Sequence, residues 1–146
     1  MGERARPDWV WRLTVGEAML WLALARFLVS AIPLKRWRRF LGPLCEPPTV
    51  TAQLDPAALV FARAVNRGAA RLPFETKCLP RAMALHAMLR RHRLPSVLVI
   101  GVLDPSQRGT IEDLHAWVES NGTVIIGALE EPFHPLARFG NGNLGN

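Results

Sequence analysis

The stretch that decides the fold is Lys77-Cys78-Leu79-Pro80-Arg81-Ala82-Met83-Ala84-Leu85. Proline suits the first turn of a helix because its missing N–H has no intrahelical partner to lose there. We therefore predict a helix with Pro80 at its first position and Cys78 just before it. The positive end of a helix dipole favours the thiolate, the form that attacks carbonyl carbons, and Lys77 acts in the same direction if it is oriented inward.

The composition is that of a globular protein. The chain has 146 residues, of which 49% are hydrophobic and 21% are charged, and this length normally buries most of the surface of the unfolded chain. We predict a single domain over 1–146, with N-terminal helices over 13–41, helices including the cysteine helix over 54–93, and an antiparallel meander over 96–128.

The two cysteines, Cys45 and Cys78, are too few for a disulfide framework. Without a clear secretory signal, a reducing compartment is the better interpretation, although a single Cys45–Cys78 bond stays open. The net charge of +6 comes mainly from arginines within 4–12, 35–39 and 90–93. These clusters fit solvated surface, an anionic membrane surface or an acidic peptide partner. We expect no nucleic-acid partner, because no recognition motif accompanies the charge.

The first long apolar run, 18–32, follows basic residues and is closed by Pro33. Arg26 interrupts it before a charge-free length sufficient to span a bilayer is reached. We predict a core helix over 15–32 that begins with a capping box of Thr14 and Glu17 and that turns Leu20, Leu24, Phe27, Leu28 and Ala31 to its apolar side. Two alternatives stay open: a helix on the membrane surface, helped by the basic run 35–39, and a signal or true span.

The rest of the chain changes from helical to strand patterns. Asp55-Pro56 predicts the start of a helix that runs to about Arg71, and 42–53 is expected to be an extended linker. From Ser96 onward, 97–102, 114–120 and 123–127 are typical of strands, and Asn121-Gly122 between the last two is a strong hairpin signal. Helices followed by an antiparallel meander predict an α+β fold, and the tail 140–146 is expected to be frayed.

The second strand carries a histidine, His115. A cysteine at a helix start with a histidine on a neighbouring strand is the arrangement of the papain and transglutaminase group, in which a thiolate attacks and the imidazole serves as base and then as acid. One cysteine and one histidine taken alone are equally compatible with core positions.

Three segments together closely resemble the leader peptidase of lasso-peptide biosynthesis: Phe74-Glu75-Thr76-Lys77-Cys78-Leu79-Pro80-Arg81-Ala82, Leu98-Val99-Ile100-Gly101-Val102, and His115-Ala116-Trp117-Val118-Glu119 with Gly122 and Val124-Ile125-Ile126-Gly127. The resemblance covers about 13–136. It implies a transglutaminase-like, papain-like fold with the catalytic cysteine at a helix N-terminus. It also implies that Cys78 is the nucleophile and that His115 is the general base and later the acid.

The third catalytic member is assigned less directly from the sequence. Relatives with a full triad carry an acid on the strand after the histidine, which corresponds roughly to 126–128 here. In an unbroken hairpin register, His115 faces Ala128 and its diagonal neighbour is Glu130, our candidate for the third member.

A β-bulge would change that partner. It shifts the register by one residue and points other side chains inward, so that Glu131, Asp113 or a backbone carbonyl orients His115 instead. A cysteine and histidine pair without a carboxylate is a further alternative, since a thiolate needs less activation than an alkoxide.

Two more residues are candidates for substrate binding, Trp117 and Lys77. Trp117 shares the face of His115 and is either core or a cover that excludes water from the site. Glu119 is either at an exposed strand edge or a partner of Arg81. The four histidines form no zinc pattern and no glycine-rich phosphate loop occurs, so we predict no metal and no cofactor.

The resulting functional expectation is a cysteine peptidase that removes the leader from a lasso-peptide precursor. The expected partners are the precursor's leader peptide, a separate leader-recognition protein, because little chain precedes the first helix, and the macrolactam synthetase that receives the product. The alternatives are a transglutaminase-like acyl transferase and a non-catalytic peptide-binding or membrane-associated scaffold. We expect a cytoplasmic location, with peripheral membrane contact left open.

Overall fold

The computed structural model describes residues 7–46, 53–103, 114–128 and 133–140. In chain order its elements are α1 (Asp8–Ala31), α2 (Leu34–Trp37), a 3₁₀ turn (Arg38–Leu41), α3 (Pro56–Arg71), α4 (Cys78–Arg91), β1 (Val97–Leu103), β2 (Leu114–Ser120), β3 (Thr123–Ile126) and β4 (Phe133–Gly140). The helices precede the strands and every strand pairing is antiparallel, so the expected α+β class is confirmed. Most of the tail that we expected to be frayed, 141–146, lies outside the described residues.

Helix α1 begins at Asp8, seven positions before the predicted start, and the capping box is wrong. Thr14 lies inside the helix, where its hydroxyl donates to the Val10 carbonyl at 2.8 Å. Glu17 instead forms ion pairs with Arg91 at 2.8 Å and His92 at 3.2 Å. Burial raises the pKa of Glu17, but hydrogen bonds and charges from His92 and Arg91 outweigh it and the net shift is downward. Glu17 therefore ties α1 to the end of α4.

The buried side of α1 is not the side we predicted. Val15, Ala18, Leu22 and Ala25 are buried against α3 and α4, whereas Leu20, Leu24 and Phe27 lie outside. The reason is close helix packing over small residues. A Cβ added to Gly68 of α3 would lie 3.1 Å from Met19 Cγ and 3.4 Å from Leu22 Cδ1, so α3 approaches α1 along this narrow stripe.

Helix α1 also has the length and composition to cross a bilayer, with a mean hydropathy of 1.5 in its most apolar window. Only 22% of that window is buried. A core helix of a soluble protein and an N-terminal signal pass the same criteria, so the finding is weak evidence about location.

The segment after α1 leads to the sheet, where its residues 43–45 pair with β4. Trp37 is buried and its indole N–H donates to the Ile32 carbonyl at 3.0 Å. Gly42 then ends the 3₁₀ turn with a φ of 101°. The linker expected over 42–53 pairs with β4 in its described part, where the Cys45 N–H donates to the Arg138 carbonyl at 3.0 Å.

Helix α3 begins where the sequence predicts. The Asp55 carboxylate accepts from the Ala57 N–H at 2.9 Å, Pro56 occupies the first turn, and the helix ends at Arg71. This N-cap and proline combination is a purely local signal, which explains why the sequence was sufficient to locate it.

The four strands are ordered β3-β2-β1-β4. Strand β1 is central, as its continuous apolar sequence indicates, and β4 was not predicted as a strand. Its Pro135 lacks the N–H needed for a regular ladder. The register jumps at this point, from Ile100 opposite Ala137 to Gly101 opposite Pro135.

The helices cover one face of this sheet, where Leu98, Ala116 and Val118 join the main core. A second, smaller cluster of Val97, Val99 and Trp117 lies on the opposite face, with Cys45 packed against it. Side chains alternate between the faces along each strand, so His115 lies on the same face as Trp117.

Candidate active site

Helix α4 carries Cys78 as its first residue, with Lys77 at the N-cap position. We predicted Pro80 at that first position, so the helix begins two residues earlier than expected. Proline is still tolerated, because the first four amides of a helix have no intrahelical partner. The result is that Cys78, which is partly exposed, stands within the first turn, where amide N–H groups point outward.

The loop before Cys78 is held from two sides. Thr76 is only 4% exposed, and the Arg81 Nε donates to its carbonyl at 3.1 Å and to its hydroxyl oxygen at 3.3 Å. On the other side, the guanidinium of Arg26 from α1 lies 4.2 Å from the centre of the Phe74 ring. Arg26, which interrupts the apolar run of α1, thus helps to position the loop that precedes Cys78.

His115 of β2 is oriented by a backbone carbonyl. Its Nε2 donates to the Gly127 carbonyl at 2.7 Å. Gly127 has a φ of +81°, and a Cβ there would lie 2.8 Å from the Ala116 carbonyl oxygen and 3.0 Å from Trp117 Cβ. Glycine is therefore required both by the backbone conformation and by the close approach of β2.

Cys78 and His115 line one pocket of about 360 Å³. Asn66 of α3, Thr76 and Arg81 contribute to it, and the remaining wall comes from Ala116 and the segment 124–128. The pocket therefore lies where helices α3 and α4 meet strands β2 and β3. The cysteine and the histidine that the sequence places 37 positions apart are brought together by the fold.

The hairpin that follows His115 contains the predicted turn and a bulge. Asn121 and Gly122 both have positive φ, 48° and 80°, as a type I′ turn requires. The register then breaks: Glu119 pairs with Val124, but Val118 pairs with Ile126. The unbroken register is therefore wrong.

This bulge removes the geometric argument for Glu130. Glu130 itself, and the alternatives Glu131 and Asp113, lie outside the described residues. Of the partners considered, the backbone carbonyl is the one observed, because Gly127 accepts the hydrogen bond from His115.

Trp117 packs beside His115 without lining the pocket. The two rings are stacked at 6.1 Å between centroids, and Trp117 is 8% exposed in the outer cluster. A Cβ on Gly101 would lie 2.7 Å from the Trp117 ring, so the indole rests directly on that glycine. The core interpretation of Trp117 fits these contacts.

Glu119 differs from both of its expected roles, whereas the substrate-binding role of Lys77 stays a prediction. The Glu119 carboxylate accepts from the Trp117 indole N–H at 2.9 Å and from Arg138 at 3.1 Å, so it is neither at an exposed edge nor a partner of Arg81. Lys77 is exposed and does not belong to the described lining of the pocket.

His86, the histidine of α4, is structural. Its Nε2 donates to the Leu41 carbonyl at 2.7 Å, and its Nδ1 accepts from the Ser96 hydroxyl at 2.9 Å. Burial lowers the pKa of His86 to about 4, partly offset by the Leu41 hydrogen bond, and the charge of Arg90 lowers it further. The ring is therefore neutral near pH 7. Within the described ranges, no group of three or more potential metal ligands is found.

The second cysteine, Cys45, is a free thiol, as is Cys78. Cys45 is half-buried against the outer cluster. Burial raises the pKa of the Cys45 thiol and the nearby carboxylates Glu46 and Glu119 act in the same direction, while Arg138 opposes them. Cys45 is thus held as a neutral thiol near pH 7.

Three lining residues, Asn66, Thr76 and Arg81, were not identified from the sequence as parts of the site. Thr76 and Arg81 flank the cysteine, so proximity along the chain was an available signal. Asn66 was not recognisable, because it lies on a different helix and its approach depends on how α3 packs against α4.

The comparisons with known proteins agree with this geometry. The sequence model of a family described as the transglutaminase-like superfamily matches residues 21–138. No curated protein and no solved structure matches the chain significantly. The matched region contains α3, α4, β1, β2, β3 and β4 as far as residue 138, and it includes every described residue of the pocket.

Proposed function

Because the chain belongs to the transglutaminase-like superfamily, we propose that it is a cysteine peptidase that removes the leader from a lasso-peptide precursor. The superfamily includes both cysteine peptidases and acyl transferases. The sequence motifs around Cys78 and His115 resemble those of the lasso-peptide leader peptidases, and this resemblance favours a peptide substrate.

The observation that carries the chemistry is one pocket lined by both Cys78 and His115, with His115 held at 2.7 Å by the Gly127 carbonyl. A carbonyl oxygen only accepts, so the hydrogen of the neutral imidazole lies on Nε2. The lone pair is then on Nδ1, and this is the atom we assign to take the proton from Cys78.

The first half of the proposed reaction forms an acyl-enzyme. The Cys78 sulfur attacks the carbonyl carbon of the scissile peptide bond, and the electron pair moves onto the carbonyl oxygen. The imidazolium of His115 then donates its Nδ1 proton to the leaving nitrogen, the C–N bond breaks, and the oxyanion collapses to a thioester. The amine-bearing product leaves.

The second half hydrolyses the thioester. His115 accepts a proton from a water molecule, the hydroxide oxygen attacks the thioester carbon, and the C–S bond breaks. The sulfur leaves with the proton returned from His115, so the thiol and the neutral imidazole are restored. An amine that replaces this water would give acyl transfer instead of hydrolysis.

The oxyanion needs donors aimed at the attacked carbonyl. The backbone N–H of Cys78 is one, because it belongs to the first turn of α4. We assign the side-chain amide of Asn66 as the second donor. Asn66 lines the pocket from α3, and asparagine is a side chain that serves this purpose in acyl transfer.

The expected partners follow from the same proposal. The substrate is the precursor peptide, its leader is presented by a separate recognition protein, and a macrolactam synthetase receives the core. The proposal requires no metal and no organic cofactor, because a thiolate and an imidazole are sufficient for acyl chemistry.

The test is incubation of the full chain with the precursor peptide and the recognition protein that are encoded beside it. The products are identified by mass spectrometry. We expect free leader and free core with the wild type, none with Cys78→Ala, and undiminished cleavage with Cys45→Ala. The two cysteine variants are matched, since both remove one free thiol.

Each other outcome contradicts a stated part of the proposal. An amine adduct on the leader would assign acyl transfer in place of hydrolysis. No product of either kind from the folded wild type would favour a non-catalytic peptide-binding scaffold. Cleavage by Cys78→Ala would remove Cys78 from the chemistry.

A further inference from the structure

Helix α1 has two apolar faces, of which the protein covers one. Opposite the buried face lies what we call the outer stripe, formed by Trp9, Leu13, Leu20, Leu24 and Phe27. Their spacing of 4, 7, 4 and 3 positions places them on one side of a helix. They are between 46% and 75% exposed.

Such a stripe is costly in water. Each large apolar side chain gains about 1.5–3 kcal/mol when it is fully buried, and contiguous exposed apolar surface marks an interaction site. Over 19 residues, from Trp9 to Phe27, the outer stripe extends about 27 Å along the helix. A partner that buries the outer stripe must therefore present an apolar surface of about the same length.

Exposed cations follow the stripe along the chain. Lys35, Arg36, Arg38 and Arg39 follow α1 directly and are exposed, and Phe40 beside them is 65% exposed. An apolar groove of about 790 Å³ between α1 and α4 shares Leu24 and Phe40 with this region. We call the outer stripe, Phe40 and these four cations the basic-apolar face.

We propose that the basic-apolar face binds the surface of an anionic lipid bilayer, with α1 lying in the plane of the interface. A long apolar stripe beside lysine and arginine is the pattern of interfacial helices, since the stripe enters the acyl boundary and the cations meet lipid phosphates. The stripe consists of large aliphatic and aromatic side chains, which suit the acyl boundary of a bilayer.

The rest of α1 excludes a span for the folded protein. Its other side packs on α3 and α4 through Ala18 and Leu22, and Glu17 is paired with Arg91. Crossing the bilayer would break these contacts and place Glu17 in hydrocarbon. The interfacial orientation keeps them, and it is independent of the proposed peptidase chemistry.

The test is co-flotation of the full chain with vesicles of phosphatidylcholine alone and of phosphatidylcholine mixed with phosphatidylglycerol. We expect binding to the anionic vesicles about tenfold tighter than to the neutral ones, and weaker binding at high salt. The double variant Leu20→Gln/Phe27→Gln should weaken binding about a hundredfold, because two large side chains no longer enter the apolar layer.

Leu136→Gln is the matched control. Leu136 of β4 is 63% exposed, comparable to the 60% of Phe27, but it is not part of the basic-apolar face. It should leave vesicle binding unchanged. Arg38→Gln/Arg39→Gln should lose the preference for anionic lipid while retaining helix content by circular dichroism.

Three results would overturn the proposal. The first is no binding to anionic vesicles by the folded chain. The second is self-association, or binding of the recognition protein, that Leu20→Gln/Phe27→Gln abolishes while vesicle binding stays unchanged; the stripe would then be a protein interface. The third is vesicle-bound protein that resists extraction by both high salt and alkaline carbonate, which would indicate insertion across the bilayer.

Discussion

His86 and His115 each donate from Nε2 to a backbone carbonyl at 2.7 Å. His86 is 1% exposed, and its Nδ1 is occupied by the Ser96 hydroxyl. His115 is partly exposed and lines the pocket that contains Cys78. The same hydrogen bond therefore orients both rings, and burial and neighbouring residues distinguish the structural His86 from His115, which we propose for proton transfer.

The largest expected effects come from removing each of the two histidines in turn. His115→Ala should reduce peptide cleavage by about 10³-fold, the scale seen when a member of a catalytic unit is removed, while changing the free energy of unfolding little. His86→Leu should do the reverse. It removes both buried hydrogen bonds of His86, to the Leu41 carbonyl and to the Ser96 hydroxyl, which costs about 4 kcal/mol, with cleavage per folded molecule unchanged.

Cleavage assays and urea unfolding on the same samples measure both quantities. Ser96→Ala is the milder companion to His86→Leu, because it removes only one of the two hydrogen bonds and keeps the protein folded if the leucine variant does not fold. Equal losses of turnover in His86→Leu and His115→Ala, after correction for the folded fraction, would contradict the separation of roles.

The pH dependence of stability sharpens the same comparison. The pKa of His86 is about 4 in the folded protein against 6.5 in its ordinary state. Between these values the unfolded chain binds more protons, so stability is fully present above pH 6.5 and decreases by about 3 kcal/mol as the pH falls to the folded pKa. Urea unfolding across this interval should show the decrease in the wild type and a flatter profile in His86→Leu.

Glu17 affects stability in a more acidic pH range than His86 and therefore serves as an internal control for the pH profile. Its pKa is lowered below 4.5, so its contribution is present above that value and is lost as the pH falls through the lowered pKa. Glu17→Gln should therefore alter the profile at the acidic end only. A slope between pH 6.5 and 4.5 that survives in His86→Leu would show that another group is responsible.

The smallest expected effect concerns the carbonyl that holds His115. Gly127→Ala places a side chain at a φ of +81° and near the Ala116 carbonyl, which should cost about 2 kcal/mol of stability. The displaced carbonyl should misalign His115 and lower cleavage about tenfold.

Gly16→Ala is the control, because a Cβ there has nothing within 4 Å and α1 should gain about 1 kcal/mol from the better helix former. If Gly127→Ala loses stability at full turnover, the carbonyl does not position His115.

Several features were predictable because their signals are local. Asp55-Pro56 started α3 through its own hydrogen bond and ring, and Asn121-Gly122 formed the type I′ turn through its own backbone angles. The apolar segment 97–102 was predicted as a strand and forms β1. The motifs that resemble a family predicted that Cys78 and His115 share a site, and both line one pocket.

Other features depended on partners far away in the chain. Glu17 looked like a capping residue and instead pairs with Arg91, 74 positions later. The bulge between Val118 and Glu119 broke the register that was expected for the hairpin. The capping box was wrong because Glu17 forms an ion pair with a residue distant in the chain, and the register was wrong because Ile125 is an extra residue in β3.

The sequence by itself determined the start of α3, the hairpin turn, the class of fold and the two residues proposed for the chemistry, since these depend on neighbouring residues and on motifs that resemble a family. The tertiary structure alone decided which side of α1 is buried, which histidine is sealed and which carbonyl orients His115. Packing decides these because both sides of α1 are apolar, and because one inserted residue in a strand redirects every side chain beyond it.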